Sequence, residues 1–73
     1  TEHPYRVFAI QDKIFITGDL KKSLVSVYDI HGHELLNEEF DGLMGVLPGN
    51  RPGVKIVKIK NRNYSISEKV MIE

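Results

Sequence analysis

Apolar and polar residues alternate along most of this chain, most clearly near its end. Val54, Ile56, Val57 and Ile59 are interleaved with Lys55, Lys58 and Lys60. After Asn61, Arg62 and Asn63, a second run sets Tyr64, Ile66, Val70 and Ile72 against Ser65, Ser67, Lys69 and Glu73. A period of two sends successive side chains to opposite faces of an extended backbone, which is the pattern of a half-buried strand. Residues 54–73 are therefore expected to form one β-hairpin whose second strand runs to residue 73, with Ile66, Val70 and Ile72 buried. Terminal residues usually fray, so an apolar strand reaching the last residue carries the expectation that this end is used.

The same reading extends upstream. Short β-rich runs recur between turn signals: residues 5–10, 13–17, 24–30 and 34–40, then a weaker run through Leu43, Met44, Val46 and Leu47. His31-Gly32 reads as a tight turn, with Gly32 supplying the positive φ that a two-residue hairpin commonly needs. Residues 34–40 contain good helix formers, but so short a segment between Gly32 and Gly42 is marginal for a helix, and strand is expected. Pro48 and Pro52 make residues 48–53 a loop. No window sustains a helical apolar period, and the count of about seven short strands points to an all-β sandwich.

Length makes this a single domain over residues 1–73, with 1–4 expected as a linker remnant. A chain of this size buries only about 60% of its unfolded surface, so its core is thin. No cysteine is present, which excludes a disulfide-stapled scaffold and a thiolate metal site. Ten Lys and Arg balance ten Asp and Glu, which argues against a nucleic-acid binder held by phosphate contacts and against a polybasic membrane anchor. The longest apolar run, Val7-Phe8-Ala9-Ile10, is far short of the roughly 20 residues that span a bilayer, so no direct membrane insertion is expected.

Residues able to carry chemistry are few. His31 and His33 flank Gly32 and could face one way, but zinc generally takes at least three protein ligands and nothing completes the set. Glu38, Glu39 and Asp41 could supply a carboxylate pair, yet solvated strand-end charges are the simpler reading in a chain with little cleft. Ser23, Ser26, Ser65 and Ser67 sit in no nucleophile motif, and no helix follows Gly45, Gly49 or Gly53 to make a phosphate loop. Lys55, Lys58, Lys60, Arg62 and Lys69 make the terminal hairpin basic, suited to an acidic partner or to edge protection. Tyr5, Tyr28 and Tyr64 are expected to bury their rings and keep their hydroxyls wet. No catalytic, metal or cofactor site is expected.

The order of the segments does carry a resemblance. Val25-Ser26-Val27-Tyr28-Asp29-Ile30-His31-Gly32-His33-Glu34-Leu35-Leu36 resembles the Tyr-Asp-x-x-Gly hairpin of the C-terminal sorting domains of the type IX secretion system, which end many exported proteins of the Bacteroidota. Leu47-Pro48 and residues 51–59, beginning Arg51-Pro52-Gly53, are similar to that family's next strand, and Glu68-Lys69-Val70-Met71-Ile72-Glu73 to its closing motif. The likeness covers residues 7–73. Lys55 stands where the family often has an aromatic residue, Glu73 where a basic one is common, and the usual proline-asparagine-proline opening is missing.

The resemblance implies an immunoglobulin-like β-sandwich that serves as the export address of a larger cargo. Such a module is read by the outer-membrane translocon and its shuttle protein, then usually removed by a cell-surface sortase. Its cargo would pass through the periplasm to the cell surface, associated with the outer membrane. Lys69, Val70, Met71, Ile72 and Glu73 would be the recognised segment, and Tyr28, Asp29, Gly32 and Gly53 the structural motif residues. Two other classes stand beside this reading. One is an immunoglobulin-like accessory or adhesion module binding sugar or protein; the other is a small hydrolase using Glu38, Glu39 or Asp41. Exposed hairpin edges also leave room for a strand-exchanged homodimer.

Overall fold

The computed structural model describes residues 3–73. It contains seven strands and, among the described residues, no helix: β1 (Arg6–Ile10), β2 (Lys13–Thr17), β3 (Ser23–Tyr28), β4 (Glu34–Phe40), β5 (Met44–Pro48), β6 (Gly53–Lys60) and β7 (Ser65–Ile72). All pairings are antiparallel, in a three-stranded sheet ordered β1-β2-β5 and a four-stranded sheet ordered β4-β3-β6-β7. The protein is an all-β sandwich. Its fourth strand lies beside β3 rather than β5, so the four-stranded sheet is the one holding the terminal hairpin. Constant-type immunoglobulin domains make the opposite division.

Alternation explains which side chains meet. Ile14, Ile16 and Leu47 project from the three-stranded sheet onto Val25, Val27, Val57, Ile59, Val70 and Ile72 of the other, with Leu20 and Tyr5 closing the end. Each fully buried Ile, Leu or Val contributes about 1.5–3 kcal/mol, and the core consists almost wholly of these side chains. Two glycines set the distance between the layers. A Cβ on Gly45 would stand 3.0 Å from the Phe40 ring, and one on Gly49 would meet the Asp12 carbonyl and Ile72 Cδ1 at 2.7 Å. Phe40 and Ile72 thus fill the space that the missing side chains leave.

Segment 34–40 is a strand, as expected, and Leu36 and Phe40 are its half-buried positions. Elsewhere the local readings change. Strand β3 ends at Tyr28, and residues 29–33 form a five-residue loop instead of a two-residue turn. The ladder also slips: Val27 pairs with Leu36 but Tyr28 with Glu34, leaving Leu35 as an extra, bulged residue. Lys55 faces inward, in phase with Val57 and Ile59, and is buried. On the outer face of the three-stranded sheet, Phe8 stacks on Phe15 with ring centroids 5.6 Å apart, beside exposed Ile10, Met44 and Val46.

Candidate functional site

The terminal hairpin pairs Gly53 with Ile72, Val54 with Met71, Lys55 with Val70 and Ile56 with Lys69. Alternation then splits the expected recognition segment by face. Val70 and Ile72 are core residues, whereas Lys69, Met71 and Glu73 are exposed, Met71 by 56%. Strand β7 is an edge of its sheet, and β1 runs beside it without joining its ladder. A row across the outer face joins Tyr28, Ile56 and Lys69. Next to it, Lys58 Nζ stands 5.0 Å from the centroid of the Tyr28 ring, a cation–π contact.

The motif residues gather at one end of this sheet. There Tyr28 closes β3, Gly53 opens β6 with φ +129°, and Ile72 closes β7. Asp29 organises the adjoining loop. Its Oδ1 accepts from the backbone N–H groups of His31 and His33 at 2.9 Å, and its own N–H donates to the His33 carbonyl. Gly32, at φ +87°, donates its N–H to the Asp29 carbonyl. These bonds fall on the ionised carboxylate: the His33 N–H foremost, then the His31 N–H and the His33 ring at 3.3 Å, hold Asp29 below the ordinary carboxylate range despite the opposing cost of burial.

At the opposite end, Asn61 joins three segments. Its Nδ2 donates to the Tyr5 hydroxyl at 2.6 Å and to Ser23 Oγ at 2.9 Å, while its Oδ1 accepts from the N–H groups of Asn63 and Tyr64. The Tyr5 hydroxyl in turn donates to the Asp19 carbonyl. Tyr5 therefore buries both ring and hydroxyl, and the expected wet hydroxyl is replaced by an internal bond. Tyr64 meets the Tyr5 ring edge-on at 5.5 Å. Residues 1–2 of the expected linker lie outside the described residues, while His3 Nδ1 accepts the Tyr5 N–H and its Nε2–H donates to Glu68 Oε1 at 3.0 Å.

Placement also bears on the other chemistry. Glu38 and Glu39 are consecutive strand residues and point to opposite faces of β4, so they cannot share a proton across one site. Glu38, Glu39 and Asp41 are all exposed. His31 and His33 have ring centroids 6.1 Å apart, and no group of three metal-ligating side chains occurs among the described residues. A groove of about 330 Å³ crosses the outer face of the four-stranded sheet between Tyr28, Lys58, Glu34 and Asn37. A second cavity of about 460 Å³ lies at the Asn61 end.

The inward phase of Lys55 could be read from its spacing to Val57 and Ile59, a signal masked by the neighbouring lysines. No comparable signal marks Asn61, whose partners come from distant segments. No protein-family model matches the chain, nor does any curated protein or solved structure.

Proposed function

We propose that this chain is a C-terminal sorting domain of the type IX secretion kind: a non-enzymatic export address recognised by a translocon, a shuttle protein and a sortase, bound for the cell surface. The observation that carries the reading is the form of β7. The edge strand presents Lys69 and Met71 outward while Val70 and Ile72 fasten it to the core, and Glu73 is exposed one residue beyond the strand, which ends at Ile72 rather than at the expected residue 73. Such a strand offers unpaired backbone for β-augmentation and a short side-chain code on one face. The immunoglobulin-like arrangement and the gathering of Tyr28, Asp29, Gly32 and Gly53 beside the end of β7 fit the same role.

Deleting residues 71–73 is a poor test, because Ile72 is 1% exposed and its loss would unfold the domain as well as remove the address. The discriminating variant is the surface triple Lys69→Ala, Met71→Ala, Glu73→Ala. Fused behind a reporter carrying its own export signal, in a host with this secretion system, the unaltered chain should deliver the reporter to the medium or cell surface. The triple should leave it in the periplasm while urea unfolding stays unchanged. Undiminished export by the triple would overturn the proposal.

The groove beside Tyr28 and Lys58 favours a second reading, an accessory module that binds a saccharide or peptide on the outer sheet face. That module would lose ligand on Tyr28→Ala and be indifferent to the β7 triple.

A further inference from the structure

The cavity at the Asn61 end has a charge that the chain as a whole does not. Ten positive and ten negative residues cancel over the sequence, yet Lys21, Lys22 and Arg62 all line this one recess, against the single carboxylate of Asp19. One oxygen of that carboxylate accepts the backbone N–H of Lys21 at 3.1 Å, and its single negative charge leaves the recess net positive. The ion pairs among the described residues are His3 with Glu68 and His33 with Asp29, so none of the three cations has an acidic partner there. Like charges gathered in a concavity raise the local potential and concentrate counter-ions.

The floor beneath them is fixed. Both ends of the Asn61 amide are spent on Tyr5, Ser23 and the turn N–H groups, which leaves it no spare donor for a ligand and little freedom to move. Lys22 holds a left-handed backbone at φ +52°, a conformation usually given to Gly or Asn at a turn. The Ser23 N–H to Leu20 carbonyl bond, at 2.9 Å, closes that turn and presents both lysines. The recess is also larger than an inorganic anion requires, and its volume lies in the range of small-molecule sites. Tyr64, 37% exposed, and Pro4 supply apolar wall beside the cations.

We infer that this recess binds a phosphate or sulfate monoester carried on a ring, the oxyanion held by Lys21, Lys22 and Arg62 and the ring lying against Tyr64. Arg62 can meet two oxygens of such a group in parallel, and the lysines act as point charges.

The test uses the full chain, labelled with ¹⁵N and titrated at constant ionic strength with inorganic phosphate, glucose 6-phosphate, phenyl phosphate, phenyl sulfate and uncharged glucose. Saturable amide shifts at Lys22, Arg62 and Asn63 are expected with the esters, weaker ones with inorganic phosphate and none with glucose. The phosphate and sulfate arms distinguish the two sources of the oxyanion. Lys22→Gly with Arg62→Gln should weaken ester binding by about fivefold, since each exposed charge pair is worth up to about that factor. The glycine suits the left-handed position, so this pair should keep its amide dispersion. Lys13→Gln with Arg51→Gln, exposed at the opposite end of the sandwich, should change nothing. Non-saturating shifts, or equal weakening by the Lys13 and Arg51 pair, would sink the site; esters no tighter than inorganic phosphate would remove the ring from the proposal.

Discussion

Lys55 is 6% exposed, on the inner face of β6, and its ammonium donates to the Arg51 carbonyl at 2.9 Å. Burying a charge on one neutral acceptor costs more than packing an aliphatic chain of similar length. Lys55→Met should therefore raise stability by about 1 kcal/mol, read as a higher urea midpoint with unchanged slope. A lower midpoint would mean that the hydrogen bond is worth more than the burial it demands. Asn61 carries the opposite expectation. Truncation to Ala leaves Ser23 Oγ, itself 0% exposed, without its amide donor and opens the turn before Tyr64. A loss of about 2–3 kcal/mol should follow, measured by the same unfolding curve.

Among the elements, the strands were legible and their connections less so. Period-two alternation marks most of them, because a half-buried sheet demands it, whereas β4 lacks the pattern and was read as a strand because it is too short for a helix. The loop at 29–33 was harder to read, because one carboxylate competes with the turn geometry that Gly32 suggests: an Asp side chain bonding forward to two backbone N–H groups draws five residues into the connection. That carboxylate gives the β3–β4 hairpin a pH dependence. A carboxyl held below its ordinary range stabilises the fold fully above the usual Asp pKa, and the contribution drains away as pH falls from there through the lowered native value. Asp29→Asn should remove this part of the acid-side slope and leave stability less dependent on pH below about 4. A carbon-detected titration of Asp29 against urea midpoints across that range checks both parts.

At the scale of the molecule, what escaped the sequence was partnership. Alternation states that a strand has an inside, not which strand lies next to it, so the placing of β4 beside β3 and the meeting of residues 5, 23 and 61 emerge only in three dimensions. The candidate segment in β7 was located as a stretch, but its division into anchors and exposed positions needed the register. That division makes a further prediction. Val70→Ala should cost about 2 kcal/mol through the cavity it leaves, while the Lys69, Met71 and Glu73 triple should stay within about 0.5 kcal/mol of the unaltered chain; circular dichroism during urea unfolding separates them. The arrangement also has a mechanical side. Tyr5 lies at the Asn61 end of the sandwich and Ile72 at the other, beside Gly49 and Gly53. Tension between those two residues runs along the strands, across ladder bonds that lie perpendicular to it. The eight paired positions of β6 and β7 would then bear the load together in shear rather than peel apart one by one, so a domain drawn along by its β7 end should hold its shape under force.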